Sequence, residues 1–127
     1  MSAILIIILA LTVNSLPPNV KSFSAEMSPT KTLHFAKQAD GGWDVTKATK
    51  NKSIGTFYVD GLTIMTKMNE KEHKIDSSKF LGIKTVDQIK GLKEFKMGAK
   101  EIKIEKKDSG ILIHMGENPI KISWKEK

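Results

Sequence analysis

Ile102-Lys103-Ile104-Glu105-Lys106-Lys107-Asp108-Ser109-Gly110-Ile111-Leu112-Ile113-His114-Met115-Gly116-Glu117-Asn118-Pro119-Ile120-Lys121-Ile122-Ser123-Trp124 carries the clearest structural signal in this chain. Ile102 and Ile104, then Ile111, Ile113 and Met115, then Ile120, Ile122 and Trp124 stand at every second position within their own segments. Side chains of a strand alternate between its two faces, so this spacing gathers all of them on one side of three consecutive strands. Lys107-Asp108-Ser109-Gly110 and Gly116-Glu117-Asn118-Pro119 supply the turns. These loops set Ile104 opposite Ile113 and Ile113 opposite Ile122, a three-stranded meander. A slip of one residue would turn the whole apolar set into solvent.

The same period recurs upstream. Leu33-His34-Phe35 and Trp43-Asp44-Val45, separated by Asp40-Gly41-Gly42, read as a hairpin with Phe35 facing Trp43 and His34 facing Asp44. Ile54 to Met68 reads as a second hairpin around Asp60-Gly61, pairing Val59 with Leu62 and Phe57 with Ile64. Between the two β regions, Thr85-Val86-Asp87-Gln88 matches a capping box, in which threonine and glutamine side chains satisfy each other's backbone amides at a helix start. Val86, Ile89, Leu92 and Phe95 continue at helical spacing, Gly91 weakens the helix, and Gly98 can end it. The expected domain is α+β and mostly β. About seven antiparallel strands form a twisted sheet or small partly open β-barrel, covered by one short amphipathic helix.

The amino terminus has a different texture. Ala3 to Val13 is apolar except for Thr12, and Pro17-Pro18 follows closely. At 1.5 Å per residue a helix from Ala3 to Leu16 reaches about 21 Å, short of the roughly 30 Å hydrocarbon core of a bilayer. The length fits a secretory leader, and Ser22, Ser24 and Ala25 are small residues at which a peptidase can cut. No lysine precedes the apolar run and the stretch to Ala25 is long, which leaves earlier cuts after Ser15 or Ser22 open. The expected organisation is a secretory signal peptide over 1–25 and a single β-rich domain over 26–127, the mature chain starting between Leu16 and Met27.

Composition narrows the function classes. Cysteine is absent, which removes disulfides, thiolate metal sites and lipid-modified cysteine, and tilts the source toward bacteria. The basic residues number 21 against 14 acidic ones, and all are lysine. Without arginine the chain lacks the planar fork that reads phosphate and guanine edges, so sequence-specific nucleic-acid recognition is not expected. Charges of both signs interleave through Lys100 to Lys106, as on a solvated strand.

No nucleophile elbow, glycine-rich phosphate loop or zinc signature occurs, and Asp40, Asp44 and Asp60 lack calcium-loop spacing. His34 with Asp44 reads as an exposed cross-strand pair, His73 as part of a solvated loop, and the methionines as core filler. The expected register places His114 on the outer face between Lys103 and Lys121. Two ammonium groups there disfavour a metal cation and can together receive an anion, making Lys103, His114 and Lys121 the candidate ligand-binding set.

Gly41-Gly42-Trp43 resembles, in three residues, the glycine-x-tryptophan of lipocalin-like barrels, though in the second strand rather than the first. The expected function is that of a small exported binding or interaction protein, non-enzymatic, periplasmic or extracellular and monomeric. It would need no cofactor and no metal, take an unidentified protein or small-molecule partner, and meet the membrane only through its leader. A lipocalin-like carrier of a small apolar ligand is one alternative; a small secreted hydrolase or enzyme inhibitor is another. An internal apolar cavity of roughly 300 Å³ or more would mark the carrier, and convergent ionisable groups in a pocket the enzyme.

Overall fold

The computed structural model describes residues 3–50, 52–68 and 70–125. In chain order the elements are α1 (Ala3–Ser15), β1 (Ser22–Ser28), β2 (Lys31–Lys37), β3 (Trp43–Lys47), β4 (Lys52–Asp60), β5 (Thr63–Met68) and β6 (Lys71–Asp76), then α2 (Ser78–Leu81), α3 (Val86–Lys90), β7 (Glu94–Met97), β8 (Lys100–Lys107), β9 (Gly110–His114) and β10 (Ile120–Ser123). All ten strands join one antiparallel sheet in the order β6-β5-β4-β3-β2-β1-β10-β9-β8-β7. Two meanders therefore meet where β1 pairs with β10, with Ala25 opposite Ile122. The sheet does not close, and the chain crosses from edge strand β6 to edge strand β7 through α2 and α3.

The mostly β, antiparallel architecture agrees with the sequence reading; the expected seven strands and single helix do not. Three strands escaped it. β1 alternates Phe23 and Ala25 inward against Ser22 and Ser24 outward, but its small residues also suit a cleavage site. β6 is an edge strand with Lys71 to Lys74 exposed, so His73 lies on a strand rather than in a loop; a strand with little buried surface need not alternate. β7 carries Phe95, which continues the helical spacing of Val86 and Ile89, yet α3 stops at Lys90 with Gly91 as its cap. The capping box itself forms: the Thr85 hydroxyl accepts from the Gln88 amide at 3.2 Å and the Gln88 side chain accepts from the Thr85 amide at 3.2 Å.

Register is correct at one hairpin and displaced by two residues at three. Ile104 faces Ile113 as expected. Ile113, however, faces Ile120 rather than Ile122. Phe35 faces Val45 rather than Trp43, and Val59 faces Ile64 rather than Leu62. The turn of the second hairpin is Gly61-Leu62, with Gly61 at φ 59° in its first central position. A displacement of two preserves which face each side chain takes, so every assigned face survives while the partners change.

The core explains the curvature of the sheet. Ile6, Ile7, Ile8, Leu9, Ala10, Leu11 and Thr12 are each exposed by 2 % or less. Seven consecutive helical residues point in every direction around the axis, so α1 is enclosed on all sides. An open sheet encloses a helix only by curling around it. Here α3 packs against α1, as does β5.

Candidate functional site

The inner face of the curled sheet is predominantly apolar. The half formed by β1 to β5 carries an aromatic cluster among Ala25, Leu33, Val45 and Ile64. Phe23 on β1 stacks on Phe35 of β2 at a centroid distance of 4.5 Å, Trp43 on β3 meets Phe23 edge-on at 5.1 Å, and Phe57 on β4 meets Phe35 edge-on at 5.7 Å. These are the offset and T-shaped geometries that ring quadrupoles favour. The other half is mainly aliphatic, with Ile102, Ile104, Ile111, Ile113, Ile120 and Ile122 beside Phe95 of β7. Strand alternation generates both halves, since each residue stands two positions from the next inward one.

α1 fills this face. Five of its side chains, Ile6, Ile7, Ile8, Leu9 and Leu11, are large, aliphatic and buried. Each contributes about 1.5–3 kcal/mol on full burial, so together they match the roughly 5–15 kcal/mol by which a whole domain is stable. Polar side chains of α1 add hydrogen bonds. Thr12 Oγ1 donates back to Ile8 O at 2.8 Å, within the helix. Asn14 Nδ2 donates to Ala10 O at 2.9 Å and to Gly61 O at 3.0 Å, the latter tying the end of α1 to the β4–β5 turn. Ser15 Oγ is buried without a hydrogen-bond partner. The cover over α1 is secured from outside, where the Lys106 ammonium donates to the Lys90 carbonyl at the end of α3. Partial burial, and secondarily the Lys90 charge, hold that ammonium below its ordinary pKa.

The proposed leader boundary can now be placed on the fold. Residues 16–21 connect α1 to β1, and position 25 lies inside β1, the strand that joins the two meanders. A cut before Ser22 leaves the sheet whole; a cut after Ala25 removes half of its central strand.

On the outer face a polar row crosses neighbouring strands. Ser24 lies between Ser123 and His34, and His34 lies beside Thr46. Ser24 Oγ is 2.7 Å from His34 Nδ1, while Asp44 accepts from Ser53 Oγ at 2.5 Å and from Thr46 Oγ1 at 3.4 Å. The expected His34–Asp44 pairing is thus replaced by His34–Thr46, the consequence of the two-residue displacement. A depression of about 530 Å³ beside this row is lined by Ser24, His34, Thr46, Ser123, Trp124 and Lys125, among others. A serine–histidine contact is a component of acyl-transfer sites, but such chemistry also needs amide donors aimed at an oxyanion. Ser24 is paired on both sides, so its own strand's amides are spent in the ladder.

Lys103, His114 and Lys121 are all on the outer face and exposed. Lys103 stands opposite His114, and Glu94 flanks Lys103 on its other side. Lys121 stands opposite Leu112 and Glu26 instead of His114. The group nearest His114 is a carboxylate, with Glu105 Oε2 at 3.4 Å from Nε2, an exposed pair of small energetic weight. The structure therefore brings two of the three residues together and interleaves them with acids. Among the described residues no group of three His, Asp or Glu side chains is arranged to hold a metal ion, and no helix is long and apolar enough to cross a membrane.

The sequence reading treats the apolar stripe of the strands as ordinary core and does not place α1 against it. The usable signal is their coexistence: an apolar amino-terminal segment in the same chain as strands with a largely apolar face. No family model matches the chain, and neither a curated protein nor a solved structure matches it.

Proposed function

We propose that this chain is a small, exported, non-enzymatic binding protein that works as a carrier, its binding surface being the inner face of the sheet. In this reading residues before Ser22 form a cleaved leader, the mature chain begins between Leu16 and Ser22, and α1 marks the space that a ligand takes over. The observation that carries it is the coincidence of two properties in one segment. The residues with the composition of a secretory leader are the same residues that fill the apolar interior. Removal of that helix would strip from the sheet burial comparable with its whole net stability, so a processed protein needs a replacement occupant. The charged edge strand β6 and the four-residue β7 support a monomer, since both are poor templates for pairing with another chain.

The test is to express the whole chain with export in a bacterium, recover the product outside the cytoplasm, measure its intact mass, and titrate it with a dye that fluoresces in apolar cavities. A processed product that is folded and binds the dye supports the carrier. An exported product that still begins at Met1 and ignores the dye would refute it.

A further inference from the structure

Resting on that carrier reading, we infer that the space held by α1 receives the acyl chains of a membrane lipid. The enclosure of α1 limits what can replace it. A helix docking from water is amphipathic and keeps a polar stripe exposed. Here the seat buries its occupant all round: Ile6 to Thr12 are enclosed between the sheet and α3, and Thr12 satisfies its hydroxyl internally. An amphipathic partner helix would bury its polar stripe against isoleucine and phenylalanine, at a cost of about 1–3 kcal/mol for each unpaired polar group. The replacement must be apolar around its whole circumference and still be encountered outside the cytoplasm. Lipid acyl chains meet both conditions.

Dimensions agree. From Leu5 to Val13, the part of α1 packed in or against the core, the helix spans about 13 Å and, with side chains, about 10–12 Å across. One leaflet of acyl chains spans about 15 Å, half the hydrocarbon core. The seat is close to one leaflet in length and wider than a single chain, so the chains of a two-chain lipid fit it side by side. Polar groups in the lining are few: Thr66 is the buried polar side chain that the sheet strands contribute among the described residues, and the Trp124 indole N–H just beyond β10 is buried without a hydrogen-bond partner. The aromatic and aliphatic lining makes contact without imposing a register.

The precursor then blocks its own site, which supplies the control. The exported, processed product is compared with the full chain retained in the cytoplasm. Both are examined by native mass spectrometry with organic extraction, and both are titrated with a fluorescent fatty acid. The expected result is about one two-chain lipid per processed molecule, displaced by the probe. The full chain should bind the probe at least about a hundredfold more weakly, because its competent state is rarely populated. Leu9→Glu in the full chain, which makes α1 unfit for an apolar seat, should recover probe binding.

A processed, folded product that binds an apolar aromatic dye but neither lipid nor fatty acid overturns the lipid and leaves the carrier standing. A stoichiometric protein partner in place of lipid has the same effect. A product that binds nothing, is isolated unfolded, or retains Met1 overturns both.

Discussion

Asp40 shows how much a single side chain can organise. Its Oδ1 accepts from the Gly42 amide at 2.9 Å and its Oδ2 from the Tyr58 hydroxyl at 2.8 Å, so one carboxylate closes the β2–β3 loop and ties it to β4. The amide first, and the phenol second, hold the Asp40 carboxyl below its ordinary 3.8; the same contact pushes the Tyr58 phenol up. A group whose folded pKa is depressed stabilises the fold above its unfolded value and loses that effect as pH falls through the folded value. Asp40→Asn should therefore be less stable than the parent at neutral pH, and the difference between the two should shrink as the solution is acidified below the ordinary carboxylate range. Urea melts at a series of pH values read this directly; a gap independent of pH would contradict it.

Gly110 is a second such position. A Cβ there would sit 2.6 Å from the Ile122 carbonyl oxygen across the β9–β10 pair, a contact with backbone that cannot swing aside. Gly110→Ala should cost about 1–3 kcal/mol, as overpacked sites do, visible as a lowered denaturation midpoint with an unchanged slope.

Strands and helices were legible in proportion to how much of them is buried on one face only. β8, β9 and β10 announce themselves because Ile102, Ile104, Ile111, Ile113, Ile120 and Ile122 alternate with exposed residues. β6 does not, because both its faces are largely wet, and β1 was obscured by the same small residues that suit a cleavage site. Alternation fixes parity but leaves the offset between paired strands to the loop. In three hairpins the loop was assigned wrongly by two residues, which moved Lys121 away from His114 and His34 away from Asp44.

The corrected register makes a clean prediction, since the native chain has no cysteine to interfere. Paired Cα atoms lie within disulfide reach. Leu112→Cys with Lys121→Cys should oxidise readily to an intramolecular bridge, and His114→Cys with Lys121→Cys should not; the reverse outcome would restore the register read from sequence. For the short α3, whose capping box was fully legible, Thr85→Ala should cost about 1 kcal/mol, measured by thermal or chemical melting.

For the molecule as a whole, the decisive relationship is between the first helix and everything else. Exposing the apolar inner face of a ten-stranded open sheet to water would cost burial comparable with a domain's net stability, and α1 packs against that face here. The sequence displays both partners but not their contact, because a uniformly apolar helix has no face that points to what it touches. The outer face, by contrast, alternates lysine with glutamate and hydroxyl groups, and its charges are distributed rather than convergent. On the carrier proposal, the binding surface lies inside the curl. The most direct measurement is the intact mass of the exported product under native and then denaturing conditions. The account predicts a chain beginning between Leu16 and Ser22 that carries a lipid mass when native and loses it when denatured. An exported chain still carrying Met1, or one cut inside β1 and bare, would contradict it.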